Sequence, residues 1–425
     1  MATGIKQWIQ QVTDRALEIL DLKSEGIPLD DLISQCHAVL SRRGEATGLA
    51  LAGSVVASWQ VLESNQHLSF FQALIAEFGP DQERLEQAIA DYQKNVDDVN
   101  VMRLHQAAEA KRQELFRRIN AAPNGLQTLI LMREALRRLL REHPELKPID
   151  QDLVHLFTSW FNKGFLRLER IDWQTPAAVL EKLIQYESVH EIQGWDDLRR
   201  RLAEDRLCFA YFHPVIPDEP LIFVEVALVQ GMSDAIAPLL DSPPAPPIAA
   251  DTAVFYSINN CQPGLAGVSF GNLLIKQVVS VLQAEHPRLK RFVTLSPIPG
   301  LRLWLETEGR EFLHRFESSD DETALKSIVA QYLTLGHGAK LKDPVARFHL
   351  GNGATLEQIN ANADLSSRGQ QQSFGFMVNY LYELDDIVRN HEQLMESGQI
   401  ATSKDVQQLL KKTRKHQLKE LSHDA

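Results

Sequence analysis

A chain of 425 residues is longer than one ordinary domain, and its 44% hydrophobic and 24% charged residues are those of a globular protein with a sizeable core. A formal net charge of −12 speaks against general binding to nucleic acid or to an anionic membrane surface. Three well-separated cysteines, Cys36, Cys208 and Cys261, form no CxxC pair, which argues against a disulfide framework or zinc site and suits a reducing compartment.

The first stretch, MATGIKQWIQQVTDRALEIL, is amphipathic, carries acids early and runs on into a helical pattern. It reads as structure rather than as a signal or transit peptide. The helical period persists to Phe165. Within LQTLILMREALRRLLREHPEL, the residues Leu126, Leu129, Ile130, Met132, Leu136, Leu139 and Leu140 recur mostly at three- and four-residue steps, with arginines between them. That spacing lays an apolar stripe along one helix. Gly79-Pro80 ends one helix and opens the next, glycine past the end and proline at the start. Residues 1–165 thus read as an all-helical bundle domain, a packing or oligomerisation module in which nothing suggests chemistry.

Residues 166–425 have a different texture. The segment TPAAVLEKLIQYESVH predicts a helix with Thr175 as N-cap and Pro176 at its first position. Four runs rich in β-branched and aromatic residues predict strands: Leu207–Phe212, Leu221–Val229, Ala253–Ile258 and Arg291–Ser296. The proline-rich PLLDSPPAPPIAADT between the second and third is a surface loop rather than a domain linker. Strands are expected to outnumber helices here, which gives an α+β chain: a helical bundle followed by an α/β domain. Near the end, KKTRKH (Lys411 to His416) reads as a solvated helix face rather than a binding patch. No apolar stretch approaches the roughly 18 residues of a membrane span, and the final SHDA is not a peroxisomal address of the SKL kind.

Common catalytic signatures are missing. The sequence holds no GxSxG elbow, HExxH, GxxxxGK[ST] loop or GxGxxG turn. Three other segments draw attention. In AVFYSINNCQPGLAGVSFGNLLIKQVVSVLQ a strand is followed by Gly264, Gly267 and Gly271 and then an apolar helix. Such a loop can turn backbone N–H groups and a helix dipole toward an anion, and it can equally be a turn without ligand. In RFVTLSPIPG, Ser296 stands before two prolines that are expected to stop regular pairing and to stiffen the chain. Its hydroxyl either ends a strand or does chemistry. In FHLGNGATLEQINANADLSSRGQQQSFGFMVNYLY, His349 precedes the turn signal Gly351-Asn352-Gly353. A lone histidine among apolar residues is commonly a core residue, and the polar run through Asn360, Asn362, Asp364, Ser366 and Arg368 is either an ordered loop or a pocket wall.

Taken together, FHLGNGA, LSPIPG, GLAGVSFG, FGFMVNYLY and the block IDWQTPAAVLEKLIQYESVH…WDDLRRRL…CFAYFHP…EPLIFVEVAL resemble the malonyl-CoA decarboxylase family, in the family's order and over nearly all of the C-terminal half. The resemblance implies a helical N-terminal domain joined to a catalytic domain similar to the Gcn5-related N-acetyltransferases. It implies that the glycine loop, Ala266, Gly267, Val268, Ser269, Phe270, Gly271 and Asn272, binds malonyl-CoA. Some members carry glutamine and glutamate where this chain has Ala266 and Ser269, so backbone contacts carry over and side-chain roles there do not. The family's serine falls on Ser296 and its histidine on His349, both as substrate-binding and catalytic residues, and its pocket tyrosine on Tyr382.

The implied chemistry suits these residue types. Loss of CO2 from a malonyl thioester leaves an enolate, whose charge preorganised donors can stabilise by roughly 3 kcal/mol each. A histidine of near-neutral pKa suits protonation of the carbon, so His349 is expected to be the proton donor and Ser296 to orient the carboxylate and relay. The thioester is its own electron sink, so no cofactor and no metal is expected. Two other readings remain: a coenzyme-A-dependent N-acyltransferase, which needs an amine acceptor, and a non-catalytic acyl-CoA-binding protein, which binds without turnover. The family resemblance further implies a homo-oligomer formed through the helical domain, and the two chain ends suggest a cytoplasmic location.

Overall fold

The computed structural model describes residues 28–41, 44–162, 164–268, 271–319, 321–336 and 340–421. The amphipathic opening segment and the SHDA tail lie outside the described residues, as do Ser269 and Phe270 of the glycine loop. Two compact units make up the chain. Of the described residues, one unit holds those from 28 to 166 together with His213–Pro217 and 262–268, and the other holds the remaining described residues.

In the first unit, helices follow one another from Leu29–Ser41 to Lys147–Trp160. Gly79-Pro80 does separate two of them, and Asp81 caps the second by accepting from the Arg84 N–H at 3.2 Å. The arginine-rich stripe forms the helix Gly125–Leu139, whose Leu126, Leu129, Ile130, Met132 and Leu136 are buried. Each such side chain taken out of water contributes about 1.5–3 kcal/mol before entropy is counted. Gly125 is required where it stands, because a Cβ there would lie 1.8 Å from the Ile119 carbonyl oxygen.

The second unit is built on a mixed sheet of eight strands: β1 (Arg167–Ile171), β2 (Arg206–His213), β3 (Ile216–Val229), β4 (Thr252–Asn260), β5 (Arg291–Thr294), β6 (Ser296–Pro297), β7 (Thr355–Asn360) and β8 (Met377–Leu381). Its order is β1-β2-β3-β4-β5-β8-β6, with β7 also on β8. All four predicted runs are strands, whereas β1 and β7 carry few apolar residues and β8 is a run of only five residues. Helices, not strands, are the more numerous elements of this unit among the described residues. Their short lengths and mixed polarity hide their period. The helix predicted from Thr175 begins instead at Ala177, with Pro176 at the cap position. The Thr175 hydroxyl is occupied in the preceding turn, accepting from the Asp172 N–H at 3.0 Å.

Two details of this sheet bear on where Ser296 comes to lie. β4 and β5 run parallel from Thr252↔Arg291 to Phe255↔Thr294, and β4 continues beyond Phe255 on β3 alone. At that point the β3–β4 register skips Tyr256, a bulge of the kind that bends a strand and re-aims its side chains. Past Thr294 the chain stays with β8, where Ser296 pairs with Val378 and Pro297 with Met377. The prolines therefore do not stop pairing at Ser296. β6 lies at the end of the sheet order, where a proline's missing N–H interrupts no ladder.

Candidate active site

Ser296, His349 and Tyr382 meet within the second unit although 53 and 33 residues separate His349 from its two partners in sequence. Ser296 Oγ lies 3.2 Å from His349 Nε2, and His349 Nδ1 lies 2.9 Å from the Tyr382 hydroxyl. All three are buried. Ser296 donates to Thr294 Oγ1 at 2.9 Å, so its lone pairs face the imidazole. In the tautomer that carries its proton on Nε2, the ring donates to Ser296 and Tyr382 donates to Nδ1. The result is one directed chain of hydrogen bonds, Tyr382 to His349 to Ser296 to Thr294.

Each member is held by local structure. Asp343-Pro344 starts the helix Pro344–Gly351, the aspartate as N-cap and the proline at the first position. Asp343 Oδ1 accepts from the N–H groups of Val345 and Ala346, both at 2.9 Å. Its Oδ2 accepts from the Gly300 N–H at 3.3 Å and the Tyr332 hydroxyl at 3.2 Å. One carboxylate thus ties the end of the SPIPG turn to the helix that carries His349. Gly300 cannot be replaced without a shift, since a Cβ would stand 2.2 Å from the Tyr332 hydroxyl oxygen. Tyr382 follows β8 directly and is fixed by its N–H on the Phe292 carbonyl at 2.8 Å.

The surroundings are buried. Burial holds the His349 imidazole down at a pKa of about 3, so the resting ring is neutral, not poised near neutrality. Burial likewise pushes the Tyr382 phenol up. The Tyr380 ring stacks on the imidazole, centroids 4.6 Å apart and planes 23° apart, and its buried hydroxyl has no hydrogen-bond partner among the described residues. Beneath Thr294, the fully buried Asn379 donates Nδ2 to the Thr294 carbonyl at 2.8 Å and accepts from Asn360 at 2.6 Å.

The glycine loop is elsewhere in the chain's organisation. Ala266, Gly267 and Val268 belong to the first unit, while Gly271 opens the helix Gly271–Glu285, which also includes Asn272. Gly267 has φ +84°, a conformation that glycine adopts without penalty. Of the polar run after His349, Asn360 joins the buried pair with Asn379, Ser366 caps the helix Ser367–Ser373, and Arg368 donates to the Ser188 carbonyl. Thr294, Asp343 and Tyr380 were not singled out by sequence. Asp343-Pro344 followed by an apolar helix was a legible cap signal, whereas the other two are ordinary strand residues until the sheet is assembled.

The sequence pattern of the malonyl-CoA decarboxylase C-terminal domain matches residues 164–333 and 314–420, and that of the malonyl-CoA decarboxylase N-terminal domain matches residues 78–161. The chain belongs to the malonyl-CoA decarboxylase family. Mitochondrial malonyl-CoA decarboxylase of Anser anser anser is 35% identical over 346 residues, covering 69% of this chain and 68% of that one. Its counterpart in Mus musculus is 33% identical over 362 residues, covering 72% and 73%. Among solved structures, malonyl-CoA decarboxylase from Rhodopseudomonas palustris superimposes with a TM-score of 0.84 at 48% identity, over 90% of this chain and 100% of that one. The Agrobacterium vitis malonyl-CoA decarboxylase gives 0.83 at 46%, over 89% and 99%. Among the described residues of this family member, no helix is long and apolar enough to cross a membrane.

Proposed function

We propose that the chain decarboxylates malonyl-CoA to acetyl-CoA and CO2 through a thioester enolate. The observation that carries this reading is the buried Tyr382–His349–Ser296–Thr294 chain in a member of this family. The coenzyme portion is assigned to the segment Ala266–Asn272 and the malonyl end to Ser296 and His349. As the bond between the α-carbon and the carboxylate breaks, its electron pair moves into the thioester carbonyl and CO2 departs. The enolate carbon then takes one proton.

His349 supplies that proton. The ring is neutral at rest because burial disfavours its charge. A substrate carboxylate admitted beside it favours the imidazolium, since an opposite charge within about 4–6 Å raises a histidine's pKa. The ring therefore takes up a proton from solvent as the substrate carboxylate binds. Ser296 turns its hydroxyl from Thr294 to the carboxylate and orients it, and Tyr382 accepts from Nδ1–H once the ring is charged. The unpartnered Tyr380 hydroxyl is the donor we assign to the thioester oxygen as charge builds there. No added cofactor enters the scheme, because the thioester carbonyl receives the electrons.

Incubation of the purified chain with malonyl-CoA, without any amine, tests the reading. Equal release of acetyl-CoA and CO2 is expected. Transfer only when an acceptor is added would identify an acyltransferase, and calorimetric binding without turnover an acyl-CoA-binding protein. Homo-oligomerisation through the helical unit belongs to the same proposal. It is supported by the exposed apolar side chains Val96, Val99, Val101 and Met102. Light scattering on a Val99→Asp, Met102→Asp double variant should then give a smaller particle than the parent chain.

A further inference from the structure

The helical unit carries contacts that a packing or oligomerisation role does not require. Residues 262–268 fold with this unit, and the helix Gly125–Leu139 packs closely against Pro263–Leu265. Arg133, only 2% exposed, donates Nη1 to the carbonyls of Gly264 at 2.7 Å and Ala266 at 2.9 Å. Its Nε is paired with Asp150 at 2.8 Å, so its charge is matched. Gly264 approaches the helix so closely that a Cβ would stand 2.1 Å from the Ile130 carbonyl oxygen. The neighbouring Leu265 is fully buried.

A rigid guanidinium gripping two carbonyls two residues apart fixes the Gly264–Leu265 and Ala266–Gly267 peptide planes. The segment therefore enters Gly267 in one defined conformation. Arg137 lies four residues further along the helix, on the same face. It is exposed and donates to the Ala266 carbonyl at 3.1 Å. Its neighbour Arg138 is paired with Glu134, but Arg137 has no carboxylate at ion-pair distance among the described residues. An unmatched guanidinium thus stands at the glycine loop of a protein with net charge −12.

We propose that this helix is part of the coenzyme site: Arg133 is a positioning residue that sets the loop's shape, and Arg137 contacts the phosphates of coenzyme A. The proposal rests on the assignment of malonyl-CoA to the segment Ala266–Asn272. Phosphates are the matching chemistry, because a planar fork of donors pairs with their oxygens and each contact is charge-assisted.

The test compares malonyl-CoA with malonyl-pantetheine, which has the thioester but no phosphate. In the full-length chain, Arg137→Gln is expected to raise KM for malonyl-CoA about tenfold with kcat within about twofold, and to leave both constants for malonyl-pantetheine unchanged. Added salt should weaken malonyl-CoA binding by the parent chain more than by Arg137→Gln. Arg133→Met, checked for folding by its melting curve, should show the same substrate-dependent rise. Arg133→Lys should recover only part of it, because one ammonium cannot span both carbonyls and Asp150. An unchanged KM in Arg137→Gln, or equal changes for the two substrates, overturns the proposal. If the parent chain leaves malonyl-CoA intact, the reaction assigned above is what fails. Calorimetry of coenzyme A on the parent and Arg137→Gln then decides the phosphate contact separately, with equal affinities counting against it.

Discussion

In the proposed scheme the His349 ring is neutral before the substrate arrives and charged while it is bound. Its two nitrogens are already engaged, by Ser296 and Tyr382, so neither tautomer nor orientation needs to be found during the reaction. Replacing His349 with Asn or Ser296 with Ala is expected to lower kcat by about 10²-fold or more, the range in which positioned proton donors act. Single-turnover formation of acetyl-CoA measures this, and near-parent rates in either variant would remove that residue from the scheme. Tyr380→Phe keeps the stacked ring and deletes only the unpartnered hydroxyl. A fall in kcat of about 10²-fold is expected if that hydroxyl meets the thioester oxygen, at the modest end of oxyanion-type effects. An unchanged kcat with a raised melting temperature would instead mark it as a buried orphan whose loss is a relief.

Among the elements, the helix Pro344–Gly351 has the most leverage on the site. It is short, and its direction is set by Asp343, whose two oxygens serve the helix on one side and Gly300 and Tyr332 on the other. Asp343→Ala should cost about 1–2 kcal/mol from the lost cap. It should also lower kcat more than that loss of stability would suggest, because Gly300 and the His349 helix are no longer tied together. Asp343→Asn, which keeps an acceptor for the cap, should recover much of the stability measured by urea unfolding. Recovery of kcat to the parent value in Asp343→Ala would show that the tie has no catalytic role.

At the scale of the whole molecule, buried neutral histidines contribute to the response to acid, and Glu225, pushed up to about 8 by burial, opposes them. Burial holds His349 down to about 3 and His190 to about 4, the latter against the pull of Asp364. Both pKa values lie below the unfolded value of about 6.5, so the unfolded chain binds more protons across the window between. The stability they contribute is then complete above pH 6.5 and is lost as pH falls toward 4. Each group contributes up to about 1.4 kcal/mol per pH unit in that range. Urea unfolding at pH 7 and pH 5 should show the drop, and His349→Asn should lessen its slope. An unchanged slope in His349→Asn would mean that this ring is not kept neutral by the fold.

Much of this architecture could be read along the chain. The helical stripe from Leu126, the buried strands β2 to β4 and the break at Gly79-Pro80 depend on steps of two to four residues, which sequence displays directly. β1, β7, β8 and the short helices of the second unit escaped, because their pattern is completed by neighbours rather than by their own spacing. Ser296, His349 and Tyr382 could be named from their motifs, but not the chain of hydrogen bonds that joins them. Sequence by itself determined the periods, the turns and the residue types available for chemistry. Only the tertiary structure decided that Ser296 pairs with His349 across 53 residues, that Arg133 grips Gly264 across 131, and that the ring is neutral at rest. The physical reason is the same throughout. Local patterns follow from backbone geometry, whereas a tautomer, a shifted pKa and a shaped loop follow from which distant groups exclude water around them.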